Sequence, residues 1–233
     1  PLVIFSNIRT VPFMMTKKQE ETNPRFISPD ANGITQAADM LRSGDLVAFP
    51  TETIYGLGAD ARHGIGVASI FQKKGRPNFN PLIVHVNSRE EASLFSVFDS
   101  RARLVADTFW PGPLTLILPL KPGQTMIHPL VTAGLDTVAV RVPAHAVAHD
   151  LIAALKGPIA APSANKSGTL SPTTPLHVMA SFGADAPMII AGGATRAGVE
   201  STILDMTVPN PVILRTGSIT PDDLAPLLGM TPM

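Results

Sequence analysis

Lys73-Lys74-Gly75-Arg76-Pro77, followed after a short gap by Asn80-Pro81-Leu82-Ile83-Val84-His85, gathers positive charge immediately before an apolar run. A cationic turn of this kind is suited to holding an anion, and its bland alternative is a solvated helix end favoured by the helix dipole. The nearby Asn80 and His85 favour the site. Three further stretches carry more polar chemistry than a structural turn needs: Pro50-Thr51-Glu52-Thr53-Ile54-Tyr55-Gly56, Ala161-Pro162-Ser163-Ala164-Asn165 and Gly198-Val199-Glu200-Ser201-Thr202. Together they point to an enzyme that uses a nucleotide.

The individual residues sort by chemistry. Arg141 stands in the alternating run Asp136 to Val142, where a guanidinium is costly to bury without an anion or a carboxylate partner. Glu52 and Glu200 are candidate partners, and with either the pair could be purely structural. Thr53, Ser163 and Ser201 offer neutral donors and acceptors in small-residue turns, and Lys74, Arg76, Arg141 and Arg215 offer charge for phosphates or a carboxylate. No credible pair of nucleophile and base is evident. The inventory suits chemistry done by positioning and charge stabilisation, as in phosphoryl or nucleotidyl transfer.

Other motifs fall away. Gly56-Leu57-Gly58-Ala59-Asp60-Ala61 matches a loose dinucleotide fingerprint, but it lacks the preceding strand and the later acidic residue. There is no Walker A sequence and no Gly-x-Ser-x-Gly elbow. His145 and His149 are spaced to share a metal, yet no third ligand accompanies them, so no metal site is expected.

The elements that must hold these residues alternate between helix and strand. Ile34, Ala37, Ala38 and Leu41 recur at helical spacing over Gly33 to Ser43, before Gly44. Leu46 to Phe49 reads as a strand buried on both faces, ended by Pro50. Val67, Ile70, Phe71 and Lys74 share a helix face that stops at Gly75 and Pro77, leaving Lys74 and Arg76 at its C-terminal turn. A strand over Leu82 to Val86 separates Leu82, Val84 and Val86 from Ile83 and His85.

Arg89 to Phe109 reads as one long amphipathic helix closed by Trp110-Pro111-Gly112-Pro113, with Leu114 to Leu118 a strand after it. Period two over Asp136 to Val142 puts Val138, Val140 and Val142 on one face and Thr137, Ala139 and Arg141 on the other. A helix from Ala144 to Leu155 leads to a strand over Pro158 to Ala161. Ser171-Pro172-Thr173 reads as the cap and first turn of a helix reaching Phe182. Strands at Met188 to Ile190, Thr202 to Met206 and Val212 to Leu214 complete an α/β pattern.

The 233 residues suffice for one large domain, and no linker composition divides them. Lys plus Arg equals Asp plus Glu at 18 each, so no general field attracts nucleic acid or an anionic membrane, and any basic site is local. The absence of cysteine excludes disulfides, thiolate catalysis and zinc–thiolate sites, and it fits a reducing, cytoplasmic setting. No apolar run approaches the roughly 20 residues that span a bilayer. Arg9, Lys17 and Lys18 without an acid resemble a targeting segment, but Pro1 and Pro12 and the missing helical period argue against one. Met14-Met15 offers an alternative start. Residues 1–28 read as an N-terminal extension and 29–233 as the catalytic domain.

The ordered motifs Pro50 to Gly58, Lys74-Gly75-Arg76-Pro77 with Asn80-Pro81-Leu82, Trp110 to Thr115, Thr137 to Arg141, Pro162-Ser163-Ala164-Asn165 and Val199-Glu200-Ser201-Thr202 closely resemble the YrdC/Sua5 family. The resemblance runs from about Gly33 to Ser218. It implies a twisted mixed sheet with flanking helices around an open, positively lined cavity. It also implies an L-threonylcarbamoyladenylate synthase that joins L-threonine, bicarbonate or CO2, and ATP into threonylcarbamoyl-AMP and pyrophosphate, for t6A modification of tRNA.

By the family's motifs, Thr53, His85, Arg141, Ala161 and Ser201 should hold threonine. Lys74, Arg76, Asn80, Thr137, Ser163, Asn165, Ser171 and Arg215 should line the ATP site, with Lys74 and Arg76 catalytic. Mg2+ is implied with ATP, and a downstream threonylcarbamoyl transferase as the partner. Longer family members add a linker, whose tyrosine lies near the ligand, and a second domain; here Tyr55 is the single tyrosine. Two readings compete: a double-stranded RNA-binding module, weakened by the zero net charge, and a carbamoyl-transfer module like that of hydrogenase-maturation proteins, which carry cysteines this chain lacks.

Overall fold

The computed structural model describes residues 25–233. Most of the expected extension therefore lies outside the described residues. Its last part does not stand apart from the fold, because Phe26–Ile27 already form a strand, β1. In chain order there follow α1 (Ala31–Arg42), β2 (Val47–Pro50), β3 (Tyr55–Asp60), α2 (Gly64–Lys74), β4 (Ile83–His85), α3 (Arg89–Ala92), α4 (Ser100–Phe109) and β5 (Leu114–Pro119). The remainder comprises β6 (Thr137–Arg141), α5 (Ala146–Leu155), β7 (Ile159–Ala160), α6 (Pro175–Phe182), β8 (Met188–Ile190), β9 (Thr202–Asp205), β10 (Val212–Arg215) and α7 (Pro221–Leu228).

The ten strands form one mixed sheet in the order β1-β8-β2-β3-β7-β4-β6-β5-β9-β10. Alternation along β2 sends Val47 and Phe49 to one face and Ala48 to the other, and each face has its own core. On the first face α1 and α5 bury Ile34, Ala37, Ala38, Leu41, Leu151, Ile152 and Leu155 over β2, β7 and β8. On the second, α2, α4, α6 and α7 contribute Val67, Ile70, Phe71, Val105, Val178, Phe182 and Leu224, packed against Val84, Val138 and Val140. Each fully buried aliphatic side chain contributes about 1.5–3 kcal/mol of transfer free energy.

Strand register decides what floors the site. Ile83 pairs with Ala139, and His85 with Arg141. Ile117 also pairs with Ala139. Thr115 pairs with Ile203, and Ile203 in turn with Arg215. Paired residues face the same way, so Ile83, His85, Ala139, Arg141, Ile117, Ile203 and Arg215 share one face. That face is opposite Val84, Val138 and Val140. It is the side on which α1 and α5 lie farther along the sheet.

Two expectations need correction, and two elements, β3 and α7, add to those expected. The span Arg89 to Phe109 is two helices, because Asp99 caps α4 by accepting from Ala102 N at 2.7 Å. The segment between them is drawn to the end of β5 through Val97 N donating to Pro119 O and Lys121 N donating to Phe95 O, both at 2.9 Å. The cap of α6 is Thr174 with Pro175 after it, one Ser/Thr-Pro step later than Ser171-Pro172. Pro172 O is instead taken by Tyr55 N at 2.9 Å. Strand β3 runs through the two glycines of the rejected fingerprint; a Cβ at Gly58 would lie 2.9 Å from the Phe49 ring, so glycine is what lets that ring pack there. Helix α7 carries no warning in the alternation and begins at a capping box between Thr220 and Asp223.

Candidate functional site

A cavity of about 470 Å³ opens over the shared strand face. Its floor is Ile83, His85, Ile117, Ala139, Arg141 and Ile203, and its walls include Thr51, Ala161, Ser163, Glu200, Ser201 and Arg215. A second hollow of about 270 Å³ adjoins it, lined by Lys74, Asn165, Ser167, Thr169 and Ser171. Arg76, Asn80, Ser163 and Glu200 border both.

Lys74 and Arg76 are placed by the end of α2. Gly75 takes the left-handed conformation at φ 61°, and Arg76 N donates back to Phe71 O at 3.0 Å, the six-to-one bond that turns a chain sharply out of a helix. Lys74 is thereby tucked in, 4% exposed, with Nζ donating to Ser163 O at 2.6 Å and to Asn165 O. Burial, then the charge of Arg76, push its pKa down to about 8, against the pull of Glu200. It is still cationic at neutral pH. Arg76 braces its own loop by donating to Asn80 O at 3.1 Å, Asn80 Oδ1 at 2.7 Å and Pro81 O at 2.8 Å.

Glu200 joins the two hollows. Its Oε1 accepts from Ser171 Oγ at 2.6 Å, and its Oε2 is paired with Arg215 Nη1. Arg215 also donates from Nε to Ser201 O and from Nη2 to Ser201 Oγ, each at 3.0 Å. Ser201 Oγ shares a further hydrogen bond of 2.7 Å with Thr115 Oγ1. Gly217 lies directly under this turn: a Cβ there would be 2.4 Å from both Glu200 O and Thr202 N.

At the other end Arg141 is 3% exposed and donates from Nε to Gly112 O at 3.2 Å. Its Nη2 lies 2.7 Å from Glu52 Oε1, yet neither that nitrogen nor either Glu52 oxygen has a partner in hydrogen-bond alignment. The two charges touch off axis. Of the two candidate partners, Glu52 is therefore the one in contact. His85 beside them is forced neutral, with a pKa lowered to about 3 chiefly by burial and then by Arg141.

Of the expected threonine set, His85, Arg141, Ala161 and Ser201 meet in the larger cavity. Thr53 does not reach it: it is fully buried and its hydroxyl is bonded to Thr51 Oγ1 at 2.8 Å, so Thr51 forms the wall. Of the expected ATP set, Lys74, Arg76, Asn80, Ser163, Asn165, Ser171 and Arg215 line one hollow or the other. Thr137 shares the strand face but lies farther along, opposite Pro119 and outside both linings. Glu200 and Thr115 join the site through Ser171, Arg215 and Ser201 although neither belongs to the expected substrate sets; the carboxylate ahead of Ser201 in a cation-rich set is the available signal. His149 Nε2 donates to Pro143 O, 2.7 Å away, and among the described residues no group of three or more metal-ligand side chains converges. Among the same residues no helix is long and apolar enough to cross a membrane.

The family model described as Sua5_yciO_yrdC, telomere recombination, matches residues 39–217. The chain belongs to the Sua5/YciO/YrdC family. A protein named threonylcarbamoyl-AMP synthase from Pyrococcus abyssi is 48% identical over 194 residues, covering 83% of this chain and 56% of the relative. A protein of the same name from Bacillus subtilis is 47% identical over 197 residues, covering 84% and 56%. The chain thus spans about half the length of these relatives. The crystal structure of P. abyssi Sua5 complexed with L-threonine matches with a TM-score of 0.84 and 45% identity, over 89% of this chain and 62% of that one. The twisted mixed sheet with flanking helices is accordingly the Sua5/YciO/YrdC fold.

Proposed function

We propose that this chain carries the synthase activity of its longer relatives, making threonylcarbamoyl-AMP and pyrophosphate from L-threonine, bicarbonate or CO2, and ATP. The observation that carries the reading is one cavity with two differently built cationic ends. Arg141, beside a neutral His85, suits the carboxylate of an amino acid. Lys74 and Arg76, bordered by Ser163, Asn165 and Ser171, suit the phosphates of a nucleotide.

Placed between these ends, the threonine ammonium gives up one proton to solvent and a second as its nitrogen forms the N–C bond to CO2, giving a carbamate. A carbamate oxygen then attacks the α-phosphorus as the bond to pyrophosphate breaks. This chain's part is positioning and charge: Arg141 fixes the amino acid, and Lys74 and Arg76 stabilise charge gathering on the leaving group. Ser163 and Asn80, shared by both hollows, flank the junction where the two substrates meet.

Mg2+ arriving on the phosphates needs only one or two protein carboxylates. Glu200 is the single carboxylate lining either hollow among the described residues; Ser171 and Arg215 each take a lone pair on one of its oxygens, so it would hold the ion through the lone pairs left over. Bound there, Mg2+ would screen phosphate charge. A threonylcarbamoyl transferase acting on tRNA in the cytoplasm would consume the product.

The test is incorporation of radiolabelled bicarbonate into an adenylate that contains threonine. Label in such a product, dependent on ATP, supports the reading. Threonine-independent AMP formation without label would overturn it.

A further inference from the structure

The buried polar atoms that lack a hydrogen bond are concentrated around Arg141. They include Arg141 Nη2, both carboxylate oxygens of Glu52, Nδ1 of His85 and Nδ1 of His145. Leaving such groups without an aligned hydrogen bond is costly, so a cluster of them beside a cavity marks a place prepared for a polar ligand. Glu52 is 8% exposed, and its backbone is held by Ala197 N donating to Glu52 O at 2.9 Å and by the Thr51 hydroxyl, which accepts from Thr53 N and Ile54 N at 3.2 Å. Arg141 is part of the cavity lining and Glu52 is not.

The off-axis contact has a specific effect. Glu52 supplies a counter-charge to Arg141 from behind the cavity lining, and Arg141 itself lines the cavity and faces a ligand there. The same negative charge opposes any simple anion approaching Arg141, and favours one that carries a cationic group as well. Without it, the charge of Arg141 would add to that of Lys74, Arg76 and Arg215, which Glu200 offsets only in part, and phosphate groups would compete for the amino-acid end.

We propose that Glu52, acting through Arg141, determines specificity by reserving this end of the cavity for a zwitterionic amino acid and keeping phosphate groups out of it. The proposal rests on the reading of the Arg141 end as the threonine site.

Calorimetry with L-threonine and with 3-hydroxybutyrate, which keeps the carboxylate and hydroxyl but lacks the amine, tests it. The unaltered protein should prefer threonine by about tenfold or more, and Glu52→Gln should narrow that preference about tenfold, mainly by binding 3-hydroxybutyrate better. Inorganic pyrophosphate should compete with threonine in Glu52→Gln and not in the unaltered protein. Glu52→Asp, which keeps the charge, should retain the preference, and ATP affinity should be unchanged in both variants.

An unaltered preference in Glu52→Gln overturns the proposal. So does an unaltered protein that binds both ligands within about twofold, an outcome that decides the matter even if Glu52→Gln fails to fold. Failure of the unaltered protein to bind threonine at all would instead sink the reading of the site.

Discussion

The two ends of the cavity are cationic for different structural reasons. Arg141 and His85 are neighbours in the β4·β6 ladder, so strand register fixes them, and the surrounding Ile83, Ala139 and Ile117 keep that end apolar. Lys74 and Arg76 are fixed by a helix stop, and their donors go to loop carbonyls at Ser163, Asn165, Asn80 and Pro81. The first end is a rigid slot with a built-in counter-charge. The second is an open arrangement of loops whose charges only partly cancel. A small zwitterion and a large polyanion call for these two designs respectively.

Breaking the rigid end should cost most. Arg141→Met leaves Glu52 buried and unpaired, and we expect a loss of about 3–5 kcal/mol in stability by denaturant unfolding, together with loss of threonine binding. Lys74→Met attacks the open end. It should lower the rate of pyrophosphate release by about a hundredfold without lowering stability. If both variants lost stability equally, the contrast between a slot and an open lobe would fail.

The pH dependence of stability sharpens the same point. Lys74 has a folded pKa of about 8 against an ordinary 10.5, so its buried charge weighs against the fold in full below about pH 8. That cost lifts as pH rises from about 8 to 10.5, where the unfolded chain still holds the proton and the folded one does not. Lys74→Met should remove this rise in stability, measured by unfolding across that range. His85 has the same sign in a lower window: being neutral when folded, it costs the fold stability as pH falls from 6.5 toward about 3, where the unfolded chain takes up the proton and the folded one does not. The smallest effect is expected far from both ends, where Thr220→Ala should cost about 1 kcal/mol through the cap of α7 and leave both substrates' affinities alone.

What could be read in advance follows the same division. Alternation placed Val138, Val140 and Val142 opposite Ala139 and Arg141, and Leu82, Val84 and Val86 opposite Ile83 and His85, because period two is a local property of a strand. The stop at Gly75 was equally local. Pairings between distant residues were not legible. Nothing local tells that Arg141 takes Glu52 rather than Glu200, that Ser171 is bonded to Glu200 instead of capping a helix, or that Thr53 turns inward to Thr51. Strand β3 was hidden because its glycines are poor strand formers, and their use appears only when the Phe49 ring is placed against them. The resemblance to the family supplied the site as a set, and the structure separates the members that line the two hollows from Thr53 and Thr137, which lie outside both linings.

The most direct test of one cavity joining two substrates is pyrophosphate release by the purified protein with ATP and Mg2+, omitting L-threonine and bicarbonate in turn. We predict release only when both are present. Release that persists without threonine, or none at all from folded protein that binds both substrates, would contradict the account.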